Sequence, residues 1–172
     1  MDLAIPPHTL LLPIDPGLWP PPSGPVRVDD TVYAPKRELH VTLIGSRLGS
    51  ELNATFATAF LHEEITRAMA AREWRCERTG RLVELAYPSC TAGITNCQAP
   101  SRRSVIELID LPAMRGFHQT LGALLGRQLP VPPPHVTLYT AHDPGGIGLA
   151  SPLQLRTRRL RALRPEAMQH PG

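Results

Sequence analysis

The sequence predicts an α+β protein built in two similar halves, and three observations carry that prediction. Two stretches repeat apolar residues at helical spacing, and several short apolar runs between turn residues read as strands. One tetrapeptide occurs twice, as His40-Val41-Thr42-Leu43 and as His135-Val136-Thr137-Leu138. At 172 residues the chain suffices for one compact domain, or for two small lobes sharing a core.

Residues 1–25 are rich in proline and read as an irregular N-terminal segment that wraps the surface, with the folded domain spanning 26–172. Val26 to Tyr33 has strand character, Pro35 interrupts it, and Leu39 to Ile44 is an apolar strand carrying the first tetrapeptide and ended by Gly45. Ser50 is a suitable N-cap for a first helix. Leu52, Phe56, Ala59, Phe60, Ile65, Ala68 and Met69 recur at helical spacing up to about Arg72. Glu73 to Arg78 and Leu82 to Tyr87 read as two strands joined by a turn at Thr79-Gly80.

Residues 88–102 read as an irregular connection between the halves. Ser104 to Leu111 is a strand, and Pro112 suits the first turn of a second helix carrying Met114, Phe117, Leu121, Leu124 and Leu125 and stopped by Gly126. The run Pro132-Pro133-Pro134 delivers the chain, extended, into the second tetrapeptide. After Asp143-Pro144-Gly145-Gly146, Leu153 to Leu163 reads as a last strand.

The net charge of +3 comes almost wholly from arginine, Lys36 being the only lysine, and it favours an anionic substrate weakly. Cys76, Cys90 and Cys97 lack CxxC spacing and read as reduced thiols in the core or in loops rather than as metal ligands. No signal peptide or membrane span is legible, so the expected location is the cytoplasm, as a monomer without membrane contact.

The tetrapeptide carries the chemistry. In a strand, residues i and i+2 share a face, so each copy presents an imidazole beside a hydroxyl and sends its valine and leucine to the other side. Two imidazoles flanking a phosphorus can take a proton from the nucleophile and give one to the leaving oxygen. Each threonine can donate a hydrogen bond to a non-bridging phosphate oxygen, and the arrangement requires no metal and no cofactor. One such histidine in an apolar strand is more often a core residue than a catalyst; two identical copies tip the balance toward catalysis.

On these residues the chain resembles the 2H phosphoesterase superfamily, named for its two H-x-[ST]-hydrophobic motifs. Leu39 to Leu43 and Pro134 to Leu138 carry the resemblance, which extends over most of residues 26–163. The proline before the second histidine and the preceding helix ending at Gly126 fit the same pattern. Tyr139-Thr140 stands where the branch similar to 2′-5′ RNA ligases and 2′,3′-cyclic phosphodiesterases continues to an arginine. The resemblance implies a bilobal, duplicated α+β fold with two antiparallel sheets, flanking helices and a central cleft. It also implies metal-independent opening of cyclic phosphates or cleavage of 2′-5′ linkages, with His40 and His135 as the acid–base pair and Thr42 and Thr137 as phosphate-binding hydroxyls.

Tyr139 would share a face with His135 and Thr137 and could stack on a base or sugar; Tyr33, and more weakly Trp19 and Tyr87, are further stacking candidates. His142 sits in a loop within reach of a phosphate, whereas His62 and His118 read as structural or solvent-facing. Arg156, Arg158, Arg159, Arg161 and Arg164 read as a charged edge strand. The leading expectation is hydrolysis of a ribose 2′,3′-cyclic phosphate on an RNA end or a nucleotide. A cyclic or 2′-5′-linked oligonucleotide, or a cyclic phosphate of ADP-ribose, is the second, and a nucleotide-binding protein without turnover the third.

Overall fold

The computed structural model describes residues 8–87 and 102–170. Their elements run β1 (Leu10–Pro13), β2 (Val26–Val28), β3 (Thr31–Pro35), β4 (His40–Ile44), α1 (Ser46–Thr55), α2 (Thr58–Ala70) and β5 (Glu77–Ala86). After the undescribed segment come β6 (Arg103–Asp110), α3 (Ala113–Leu124), β7 (His135–Ala141), α4 (Pro152–Arg158) and β8 (Arg159–Leu163), then a 3-10 turn at Pro165–Ala167. All strand pairs are antiparallel, so the expected α+β class holds.

The strands form one connected sheet of eight, not two sheets; six follow the order β1-β4-β7-β6-β5-β8, and β3, with β2 beside it, joins at β7 off that path. The join is β7, which pairs with β6 along one edge and with both β4 and β3 along the other. Pro35 pairs with Tyr139 and Val41 with Val136, so β3 and β4 lie end to end along β7 while the residues between them loop out.

Several boundaries differ from the sequence expectation, each for a local reason. Leu10–Pro13 belongs to the sheet as an edge strand on β4, because Leu10 and Leu12 have core to bury, so the proline-rich segment is not wholly peripheral. The run from Val26 is a hairpin, β2–β3, which turns at Asp29 with a left-handed backbone (φ 51°). The single first helix is two helices: Leu52 and Leu61 are nine residues apart, about half a turn out of phase on one continuous helix. The break at Phe56-Ala57 brings Leu52 of α1 and the Leu61, Ile65, Ala68 and Met69 stripe of α2 into the same core. Thr79-Gly80 is a bulge inside one strand rather than a turn between two; Gly80 takes φ 68° and its N–H donates to Glu107. Pro152 and the Ser151 cap, whose hydroxyl accepts from the Gln154 N–H, start α4 where strand was expected, leaving β8 to begin at Arg159. That strand ends the sheet order as a charged edge, but of the five arginines expected there only Arg159 and Arg161 lie in it; Arg156 and Arg158 belong to α4 and Arg164 follows the strand.

Helices α1, α2 and α3 contribute to the main core; α3 buries Met114, Phe117, His118, Leu121 and Gly122, a clean i, i+3, i+4, i+7, i+8 stripe. Val41, Leu43, Val136 and Leu138 belong to this core. A second apolar cluster joins Val83, Leu85, Ile106 and Leu108 to Ile147 and Leu149. Strand alternation puts it on the opposite face of the sheet, where the chain after β7 folds back. Two buried carboxylates are paired: Glu107 with Arg78, and Glu84 with Arg103 and Arg161.

Candidate active site

The two tetrapeptides meet in the middle of the sheet. Val41 of β4 pairs with Val136 of β7, the same motif position in both copies. In an antiparallel ladder that register puts His40 opposite Thr137 and Thr42 opposite His135, with all four side chains on one face and the valines on the other. The histidines occupy one diagonal of a four-cornered patch and the threonines the other. Direct cross-strand neighbours stand about 5 Å apart and diagonal ones about 7–8 Å. A local twofold axis therefore passes between Val41 and Val136.

Each corner has its own surroundings. His135 is 7 % exposed, and its Nδ1 lies 2.8 Å from the Pro133 carbonyl oxygen. A carbonyl only accepts, so Nδ1 carries the proton and, in the neutral ring, Nε2 holds the lone pair. Burial holds His135 below the ordinary histidine range, the Pro133 bond opposes this, and the charge of His40 adds to the depression. His40 is half-buried; burial lowers it too, Lys36 lowers it further, and Glu38 works the other way. Both imidazoles are thus biased toward the neutral form before any anion arrives.

Thr42 and Thr137 are both partly exposed. The loop after β7 lies against Thr137: a Cβ on Gly146 would stand 2.8 Å from the Thr137 Oγ1, so only glycine permits this approach. That loop is fastened by Arg102 donating to the Gly145 carbonyl (2.9 Å) and by the Ile147 N–H donating to buried Ser104 (3.1 Å).

Beside the patch opens a cleft of about 460 Å³, lined by the looped-out residues Lys36, Arg37 and Glu38, by His40 and Thr140, and by His142 to Pro144. Its size suits a nucleotide-sized ligand. His40 lies on its wall; His135, Thr42 and Thr137 do not line it. His142 borders it, exposed, with a left-handed backbone (φ 68°) that a non-glycine residue adopts at a cost.

The tyrosine expectations are corrected. Between Thr137 and Tyr139 the β7 ladder advances two residues while β6 advances one, Thr137 pairing with Ile106 and Tyr139 with Val105. This bulge reverses the alternation, turning Tyr139 into the main core and Thr140 toward the cleft. Tyr33 is fully buried, and its hydroxyl donates to Glu84 at 2.5 Å. Burial and Glu84 together push the phenol well above its usual value. Neither ring can stack on a ligand in the cleft. Trp19 is buried beneath the Arg78 guanidinium, and Tyr87 is flanked by Arg158 and Arg102 outside the cleft lining.

His118 is structural: it is buried, with Nε2 2.9 Å from the Leu43 carbonyl oxygen, so it holds β4 from behind. His62 is exposed on α2. Cys76 is half-buried, and Cys90 and Cys97 lie outside the described residues. Among the described residues no group of three His, Cys, Asp or Glu could hold a metal ion, and no helix is long and apolar enough to cross a membrane.

Lys36, Arg37 and Thr140 were absent from the sequence-based site. Nothing in the alternation of β7 announces the bulge that turns buried Thr140 toward the cleft, although the unique lysine four residues before His40 was a usable signal. No protein-family model, curated protein or solved structure matches the chain.

Proposed function

We propose that the chain is a metal-independent phosphodiesterase that opens the 2′,3′-cyclic phosphate of a nucleotide or RNA end, with His40 and His135 as acid and base. The observation that carries this reading is the Val41–Val136 register, which gathers two imidazoles and two hydroxyls at crossed corners of one patch. The same local twofold favours a duplicated, two-lobed ancestry of the 2H type, its halves joined through β7.

His135 is the base. Its Nδ1–H is engaged by Pro133, and its Nε2 lone pair can take a proton from water as the water oxygen attacks phosphorus. The bond from phosphorus to one ribose oxygen breaks, and His40, nearer solvent, gives that oxygen its proton. Thr42 and Thr137 donate hydrogen bonds to the non-bridging oxygens as negative charge grows there. The phosphate anion raises both imidazoles from their depressed values, allowing one to be protonated near neutral pH.

A panel of nucleoside 2′,3′-cyclic phosphates, a 2′-5′-linked dinucleotide and ADP-ribose cyclic phosphate, assayed with and without EDTA, tests the reading. It expects chelator-resistant turnover of the nucleoside cyclic phosphates and loss of that turnover in His40→Ala. Binding of a nucleoside monophosphate without turnover of any cyclic phosphate would replace the enzyme by a binding protein.

A further inference from the structure

We propose that Lys36 is the phosphate-binding cation of this cleft, moving from its resting contact on Pro144 to a non-bridging oxygen of the bound phosphate. The inference rests on the phosphodiesterase reading for its ligand class and deepens it.

The patch itself is neutral. It has two imidazoles and two hydroxyls, and a phosphodiester brings a full negative charge to a half-buried place. An anion leaving water for such a place needs a partner of opposite charge. Among the described residues lining the cleft, Lys36 and Arg37 carry positive charge, and Glu38 and Asp143 carry negative charge. Asp143 is already engaged, with Arg102 at 3.3 Å and the Gly145 N–H at 2.6 Å. Arg37 and Glu38 are exposed, and Lys36 is half-buried beside His40.

Lys36 has the geometry of a cation waiting for an acceptor. Its Nζ donates to the Pro144 carbonyl at 3.1 Å, across the cleft from its own loop. A neutral carbonyl satisfies one donor and leaves the charge unmatched, and an ammonium has three donors to offer. Two features bring the side chain to this place: the looped-out residues between β3 and β4, and the Lys36 N–H bond to the Leu138 carbonyl (2.8 Å). Leu138 itself belongs to the second tetrapeptide. The backbone at Lys36 is therefore tied to one motif strand, while the side chain lies beside the histidine of the other.

Because Lys36 is the only lysine, an amine-directed reagent reports on it alone besides the terminal amine. Reductive methylation of the wild-type protein, with and without a nucleoside 3′-monophosphate, is read by mass spectrometry. Affinity for the same nucleotide is measured for wild type, Lys36→Arg and Lys36→Met. The expected result is protection of Lys36 by the nucleotide, affinity about tenfold weaker in Lys36→Met and largely kept in Lys36→Arg. Loss of the charge also raises the His40 pKa in the free protein, seen in its imidazole NMR titration, because Lys36 stands close enough to lower it. Unprotected Lys36, or equal affinity in all three proteins, overturns the proposal. Should wild type turn over no cyclic phosphate while nucleotide binding still depends on Lys36, the hydrolase reading falls and the cation stands. Turnover with binding indifferent to Lys36 removes the cation alone.

Discussion

Strand β4 carries its His-Val-Thr-Leu copy near the edge of the sheet, with only β1 beyond it, whereas β7 carries the same four residues between β4 and β6. His40 consequently keeps partial access to solvent and answers to Lys36 and Glu38, while His135 is buried and fixed by the Pro133 carbonyl. Thr42 faces Leu11 of β1 along the sheet, and Thr137 is pressed by the Gly146 loop. Identical sequence thus gives matched positions with different surroundings. In the proposed mechanism the twofold arrangement supplies two proton carriers, and asymmetric burial lets one stay neutral while the other takes the proton.

The largest effects test whether both copies belong to one machine. His135→Ala and His40→Ala are each expected to lower kcat on a nucleoside 2′,3′-cyclic phosphate by about 1,000-fold or more. Loss in only one of them would break the pairing and make the other copy structural.

A smaller effect sharpens the difference between the threonines. Thr42→Val and Thr137→Val should each lower kcat by about 100-fold, as expected for loss of one donor to a growing negative charge. Gly146→Ala sets a Cβ against the Thr137 side chain and should lower kcat about tenfold. A full-rate Gly146→Ala enzyme would show that Thr137 need not be held by that loop.

The pH dependence of stability separates His40 and His135 from His118 behind β4. Burial lowers His40, His118 and His135 in the folded chain, so the unfolded chain takes up protons first as pH falls. Stability is complete above the ordinary histidine value of about 6.5 and declines as pH drops below it. His118→Gln, keeping a donor within reach of the Leu43 carbonyl, should flatten that decline in thermal melts between about pH 6.5 and 5 while turnover persists. An unchanged slope would mean that His118 carries none of it.

Smallest on catalysis is Tyr33→Phe, which removes the hydroxyl bonded to Glu84. It should cost about 1–3 kcal/mol in denaturant unfolding and leave kcat unchanged. A large rise in KM would restore the tyrosine to the ligand.

The α+β class and the placement of both tetrapeptides on strands were legible because period-two alternation and the repeat are local signals. Helix α3 was legible for the same reason, with Pro112 at its start and Gly126 after its end. The split between α1 and α2 was not, because it answers the angular mismatch of Leu52 and Leu61 against a core that only the tertiary fold defines. The single sheet and the Val41–Val136 register are long-range pairings no local window contains. Tyr139 shows the limit most clearly: one bulge residue in β7 reverses every later side chain, so correct alternation from His135 gave the wrong face. Lys36 reached the cleft through a looped-out segment whose ends are fixed by pairing to β7.

If both copies address one phosphate, imidazole NMR will show it. A nucleoside 3′-monophosphate is titrated into the protein while the His40 and His135 ring nitrogens are followed. Both rings are expected to shift along one binding curve and both pKa values to rise, since the anion offsets the burial that depresses them. A ligand that moves one imidazole and leaves the other unchanged at saturation would contradict it.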